Sequence, residues 1–281
     1  MNTLTVNGVE LAFVDRGCGA PLLLVHGFPL DHTMWNAQID ALSLARRVIA
    51  PDLRGFGRSG VTDALVTMEQ LADDLDALLA AIEVPEPVAL CGLSMGGYVA
   101  FQFWRRHRAR LCALILADTR AMNDSPEMAA ARLAMADRVI REGPAPLVDN
   151  MTPRLFAEAT SQNRDDLVES LRQMMLATDP RGIAAASRGM ARRPDMTPML
   201  GQIDCPTLVV VGEQDAISPP GEMRELARAI PRARFAEIPN CGHMSPMEKP
   251  AEFNEAIEEF LAALETESGG SGTPDWCLHG E

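Results

Sequence analysis

A serine flanked by glycines, between an apolar segment and a helix-forming segment, most constrains how this chain can fold. Residues 88–91 form an apolar run typical of a doubly buried strand, and residues 97–104 favour a helix. Ser94 lies between them, with Gly92 and Gly96 two residues to either side. Because a sharp strand-to-helix turn leaves little room beside its apex, glycine suits both positions. Such a turn would raise the hydroxyl above the sheet, beside unpaired N–H groups at a helix start, as a serine nucleophile requires.

The five-residue pattern alone is also compatible with an ordinary small-residue turn, so the surrounding chain must decide. Strand patterns alternate with helix patterns along most of the sequence. The predicted strand regions are a hairpin over residues 4–13 and the runs 21–25, 48–50, 88–91, 111–117, 206–212 and 233–238. This alternation predicts an α/β fold with a mostly parallel sheet that carries helices on both faces.

One stretch interrupts the alternation. Between residues 122 and 196 only helical patterns occur, over residues 126–142, 164–177 and 180–193. This segment predicts a helical insertion after the sixth strand. The insertion divides a core domain into residues 1–121 and 197–264. Residues 265–281, which contain Gly-Gly-Ser-Gly-Thr-Pro, are predicted to form a flexible tail.

Composition excludes several classes of function. The formal net charge of −14 argues against a nucleic-acid partner, because phosphate contacts need a basic face. No apolar run reaches membrane-spanning length and the N-terminus does not resemble a signal peptide, so we expect a cytoplasmic protein without a membrane partner. The six cysteines form no CxxC pair and the five histidines lack metal-ligand spacing, so we expect reduced thiols and no metal site.

A serine nucleophile needs a base, and the base needs a carboxylate that orients it. In open α/β sheets functional residues gather at the carboxyl ends of the strands. His243, preceded by Gly242 after the last predicted strand, is therefore the predicted base. Asp215 is the predicted orienting acid, because its place between serine and histidine matches the chain order Ser, Asp, His. Asp118, which also follows a predicted core strand, is the competing assignment.

The oxyanion of a tetrahedral intermediate requires two preorganised N–H donors. The N–H of Met95, next to the serine at the helix start, is the first predicted donor. The second is the N–H of Phe28, which follows the strand over residues 21–25. Pro29 has no N–H and cannot take this role.

Taken together, these segments resemble the α/β-hydrolase fold family, over residues 3–264. The matching pieces are residues 26–29 (His-Gly-Phe-Pro), 52–59, 92–97, 212–215 and 242–243. The resemblance is strongest to small bacterial carboxylesterases, enol-lactone hydrolases and cofactor-free perhydrolases. It implies that residues 122–196 form a lid over the substrate pocket. Side chains that would then line the pocket or pack beneath the lid are Trp35, Met122, Met151, Met174 and Met175.

The resemblance implies a carboxylic-ester hydrolase that cleaves small-molecule esters or lactones through an acyl-serine intermediate, with no metal or organic cofactor. Carbon–carbon hydrolases, perhydrolases and lyases that use the same three residues are alternatives. A dinucleotide-dependent oxidoreductase is a remote alternative. Residues 55–60 fit the GxGxxG pattern, but they do not lead directly into a helix as that motif requires. A non-catalytic binding module is another, although such proteins typically lose one of the three residues.

Overall fold

The computed structural model describes residues 1–62 and 64–268. Its strands are β1 (Asn2–Val6), β2 (Val9–Arg16), β3 (Pro21–Val25), β4 (Arg47–Pro51), β5 (Val88–Leu93), β6 (Leu111–Ala117), β7 (Thr207–Gly212) and β8 (Ala233–Ile238). Within the described residues they form an eight-stranded sheet of order β1-β2-β4-β3-β5-β6-β7-β8. The β1–β2 and β2–β4 pairs are antiparallel, and the remaining pairs are parallel. The predicted α/β fold with a mostly parallel sheet is therefore confirmed.

The apolar runs of the central strands supply both faces of this sheet. In β3, Leu23 and Val25 belong to one buried apolar cluster, and Leu22 and Leu24 belong to the other. Successive side chains of a strand point to opposite faces, so an uninterrupted apolar run is stable only where helices cover both. The sheet is accordingly the middle layer of three.

The helices are α1 (Asn36–Leu42), α2 (Met68–Ala81), α3 (Met95–Arg106), α4 (Pro126–Glu142), α5 (Ala145–Met151), α6 (Glu158–Asn163), α7 (Asp165–Ala177), α8 (Pro180–Met190), α9 (Pro220–Ala229), α10 (Ser245–Glu248) and α11 (Pro250–Ser268). Among the described residues, none of these helices combines the length and apolar character that a membrane crossing needs. Helix α2 begins after Thr67, whose side chain accepts a hydrogen bond from the N–H of Gln70, as a helix cap does.

Helices α4 to α8 lie between β6 and β7, where the sequence predicts a helical insertion. The insertion contacts loops at the carboxyl edge of the sheet. Thr178 donates a hydrogen bond of 2.9 Å to the carbonyl of Pro29, after β3, and the carbonyl of Leu155 accepts one of 3.0 Å from the N–H of Met244, after β8. Residues 122–196 are therefore in contact with the edge at which the predicted functional residues lie.

The C-terminal helix differs from the sequence prediction. Helix α11 continues to Ser268, four residues beyond its predicted end at Leu264. The sequence contains no glycine or proline between Leu264 and Gly269, so no helix-breaking residue ends the helix at the predicted boundary. The rest of the predicted tail, residues 269–281, lies outside the described residues.

Candidate active site

The turn between β5 and α3 places Ser94 in a backbone conformation that few side chains adopt. Its φ of 55° and ψ of −111° lie in a sparsely populated region. A Cβ on Gly92 would lie 2.3 Å from the carbonyl oxygen of Gly96, and a Cβ on Gly96 would lie 2.2 Å from that of Val25. Both distances are far below van der Waals contact, so only glycine fits. The two glycines thus let the backbone close tightly on either side of the serine.

His243 and Asp215 form a buried hydrogen-bonded pair. The Nδ1 atom of His243 lies 2.8 Å from Oδ2 of Asp215, and the histidine is 3% exposed. The other carboxylate oxygen accepts hydrogen bonds from the N–H groups of Ile217 (2.7 Å) and Ser218 (2.9 Å). Burial opposes ionisation of Asp215, but the charge and hydrogen bond of His243 and the two N–H groups outweigh it, and the pKa of Asp215 is lowered. A charged Asp215 holds the proton on Nδ1 and leaves Nε2 available as a base.

Three loops of different strands bring these groups to one edge of the sheet. Ser94 follows β5, Asp215 follows β7 and His243 follows β8. Within the described residues, no hydrogen bond joins Oγ of Ser94 to the His243 ring. Bonds between a nucleophile and its base are often long until substrate binds. The hydrogen bond between Asp215 and His243 is formed in this structure.

The two predicted oxyanion donors are unengaged. Among the hydrogen bonds of the described residues, none is donated by the N–H of Phe28 or of Met95. The loop that carries Phe28 rests on His26, whose Nε2 accepts a hydrogen bond of 2.9 Å from the N–H of Leu53. Nδ1 of His26 therefore carries the proton and donates to the carbonyl of Gly27 at 2.8 Å. Burial lowers the pKa of His26, so this ring is a neutral support for the loop.

Asp118, the competing acid, does not bond to the histidine ring. Its Oδ1 accepts a hydrogen bond of 2.9 Å from the N–H of Gly212, and its Oδ2 bonds to Oγ of Ser245. It is fully buried. Asp215 is thus the carboxylate that bonds to Nδ1 of His243, and Asp118 bonds instead to Gly212 and Ser245.

Among the described residues, two groups of side chains could each offer three ligand atoms to a metal ion. In each group these atoms lie within 4.8 Å of one another: Asp118 with Asp215 and His243, and Asp31 with His32 and Asp52. Hydrogen bonds account for both arrangements. In the second group, Nδ1 of His32 lies 2.6 Å from Oδ1 of Asp52. Burial would lower the pKa of His32, but the bond to Asp52 and its charge outweigh burial and raise it.

The side chains predicted to line the substrate pocket are placed mainly by packing. Trp35 is fully buried, with its ring 5.9 Å from that of Phe253, and Met175 is buried in the same apolar cluster. Met151 and Met174 pack partly buried against that cluster. Met122 is 45% exposed and lines a surface groove of about 370 Å³ whose lining includes none of Ser94, Asp215 and His243. The assignment of Trp35 and these four methionines to a substrate pocket stays a prediction.

Sequence reasoning missed Glu248, a buried carboxylate that holds the histidine loop. Its Oε1 accepts a hydrogen bond of 2.7 Å from the N–H of Gly242, next to the histidine. Its Oε2 accepts one of 3.0 Å from the N–H of Ala157, in the helical insertion. The S-x-x-E pattern of residues 245–248 signals a helix start, but not that the glutamate bonds to Gly242, six residues before it, and to Ala157 in the helical insertion.

Comparisons with known proteins agree with the fold. The model of the Alpha/beta hydrolase family matches residues 22–256. A thermophilic esterase from Thermogutta terrifontis is 52% identical, with a TM-score of 0.91 that covers 93% of this chain and 97% of that chain. The enol-lactonase from Burkholderia xenovorans is 30% identical, with a TM-score of 0.86 over 93% of this chain and 100% of that chain. The 3-oxoadipate enol-lactonase 1 of Acinetobacter baylyi is 29% identical over 84% of this chain and 86% of its own length. The chain therefore belongs to the alpha/beta hydrolase family.

Proposed function

We propose that this protein is a serine hydrolase that cleaves carboxylic esters or lactones of small molecules. The observation that carries the proposal is the buried Asp215–His243 pair of 2.8 Å at the sheet edge where Ser94 occupies its strained turn. The esterase and enol-lactonase relatives support the same substrate class. Open-chain esters are favoured as substrates, because the esterase is the more similar of the two structures.

The chemistry follows from the atoms in place. Nε2 of His243 takes the proton of Ser94 as Oγ attacks the carbonyl carbon, and Asp215 stabilises the imidazolium that results. The N–H groups of Phe28 and Met95 stabilise the negative oxygen of the tetrahedral intermediate. Collapse of the intermediate expels the alcohol, which leaves with the proton from His243. A water molecule activated by the same ring then hydrolyses the acyl-serine and regenerates the hydroxyl.

The helical insertion acts in this proposal as a lid over the acyl group. It contacts loops after β3 and β8 through Thr178 and Leu155. Its helix α8 lies against the loop after β4, where Gly182 meets Gly55 so closely that a Cβ on Gly182 would be 1.8 Å from the Gly55 carbonyl oxygen. Exclusion of water beneath such a cover strengthens the electrostatic interactions on which the oxyanion depends. Acyl length and ring shape are then selected by the insertion.

The test measures hydrolysis of p-nitrophenyl esters of graded acyl length beside a series of lactones. We expect Ser94→Ala to lower kcat/KM by about 10⁵-fold and Asp215→Asn to lower kcat by about 10⁴-fold, with thermal unfolding unchanged. A fluorophosphonate should label the wild type rapidly and leave Ser94→Ala unlabelled. Full activity in Ser94→Ala would refute the proposal. Labelling without hydrolysis of any ester or lactone would move the function to the carbon–carbon hydrolases, perhydrolases or lyases that use the same residues.

A further inference from the structure

Asp118 follows one strand and hydrogen-bonds to residues at and after the ends of the next two strands of the sheet, beside the Asp215–His243 pair. It follows β6 directly, in a left-handed conformation with φ of 46°. One carboxyl oxygen accepts from the N–H of Gly212, which begins the turn to Asp215, and the other bonds to Ser245, two residues after His243. Its side chain is therefore bonded to both loops that carry the aspartate–histidine pair.

The surroundings of Asp118 disfavour a negative charge on both Asp118 and Asp215. One carboxyl oxygen from each of Asp118 and Asp215 lies within 4.8 Å of the other and of a His243 ring nitrogen. The buried thiols of Cys91 and Cys241 also interact with Asp118 and supply no positive charge. Among the described residues, no lysine or arginine forms an ion pair with Asp118. Two adjacent buried carboxylates cannot both ionise without a large cost, so one of them holds a proton.

Hydrogen bonding decides which carboxyl group holds the proton. Asp215 accepts from two backbone N–H groups and from the His243 ring, and these donors stabilise its charged form. Asp118 accepts from one backbone N–H, that of Gly212, and from the hydroxyl of Ser245, so it has one donor fewer than Asp215, and it is fully buried. The negative charge is therefore more stable on Asp215, and the proton on Asp118.

We propose that Asp118 is a positioning residue that remains a neutral carboxylic acid at neutral pH and donates a hydrogen bond to the charged Asp215. The proposal rests on the proposed function only for its kinetic consequences. Burial and the charge of Asp215 raise the pKa of Asp118 well above its usual range, while the pKa of Asp215 is lowered. The cluster then carries one negative charge, so His243 lies beside a single charged carboxylate.

The acid limb of the pH profile of kcat/KM tests this directly, because it reports the base of the free enzyme. In Asp118→Asn the amide can donate to Asp215 and Ser245, and its oxygen can accept from Gly212, so it mimics a neutral acid. We expect the acid limb to stay within about 0.3 pH units of the wild type, since no charge is lost. A shift of about one unit or more toward acid pH would show that Asp118 is ionised and would overturn the proposal.

Truncation separates orientation from charge. We expect Asp118→Ala to lower kcat by about 10-fold with little change in KM, because Asp215 loses a donor, and asparagine to restore most of that loss. Equal losses in the alanine and asparagine variants would contradict the proposal.

An infrared measurement removes the dependence on activity. At neutral pH the wild type should show the carbonyl stretch of a protonated carboxylic acid, and Asp118→Asn should lack it. The same band is expected in Ser94→Ala, so a failure of the proposed hydrolase function leaves this test intact. Absence of the band in the wild type, or its persistence in Asp118→Asn, would overturn the assignment.

Discussion

The serine turn and the histidine loop reach the same edge of the sheet, but different forces hold them. Around Ser94 the backbone is confined by close approaches at Gly92 and Gly96, whose partners lie in the turn itself and in the adjacent strand β3. The loop of His243 is held by buried carboxyl groups, that of Glu248 in the helix that follows the loop and that of Asp118 after β6. Ser94 is thus positioned by steric fit and His243 by a network of buried polar contacts.

This difference has a consequence for how each loop tolerates change. A steric constraint fails when a single atom is added, because neighbouring backbone cannot move away. A polar network fails when one member is removed, because its partners remain buried and unpaired. The variants below add an atom in the turn, remove a carboxylate from the loop, and remove one hydroxyl that contacts the turn from outside.

The largest effect is expected from Gly96→Ala. Its Cβ would lie 2.2 Å from the carbonyl oxygen of Val25, so the turn must distort. We expect the free energy of unfolding to fall by about 3 kcal/mol in urea titrations, together with a severe loss of activity. Gly221→Ala is the matched control, because a Cβ at Gly221 meets nothing within 4 Å, and its stability should equal or exceed that of the wild type. An unchanged unfolding midpoint in Gly96→Ala would break the steric half of the comparison.

A smaller effect is expected from Glu248→Ala. The change leaves the N–H groups of Gly242 and Ala157 without their acceptor, and both are buried. We expect a loss of about 2 kcal/mol in unfolding free energy and a fall of about 10-fold in kcat as the histidine loop loosens. Glu252→Gln, at an exposed position of α11, should behave as the wild type. If Glu248→Ala kept full stability and activity, the loop would be held by something other than its polar contacts.

The smallest effect is expected from Thr119→Val, which sharpens the comparison. Thr119 donates a hydrogen bond of 2.7 Å to the carbonyl of Ser94. That carbonyl also accepts from the N–H groups of Gly97 (3.0 Å) and Tyr98 (3.3 Å), so it stays bonded when the hydroxyl is lost. We expect a cost below about 1 kcal/mol and nearly unchanged kcat, with Thr119→Ser as the control that retains the hydroxyl. A loss as large as that of Glu248→Ala would show that the turn also depends on distant polar contacts.

Local sequence determined the elements that depend on local physics. The order and type of the core strands followed from apolar runs between turn signals, and helix α4 has the predicted bounds, Pro126–Glu142, because Ser125 caps it and Gly143 ends it. The crowding at Gly92 also follows from the turn alone, whereas the close approach at Gly96 involves Val25 of β3. The end of α11 was less well predicted, because without a breaking residue the sequence gives no sharp boundary there.

Tertiary structure decided what depends on which distant segments meet. From the sequence, Asp118 and Asp215 each follow a core strand and either could orient a histidine. The sheet order places the two aspartates side by side. Asp215 hydrogen-bonds to the His243 ring, while Asp118 bonds to Gly212 and Ser245. The contact of Glu248 with Ala157 arises in the same way. Hydrophobic periodicity encodes which face of an element is buried, but the partner of a buried polar group is fixed only when the elements pack.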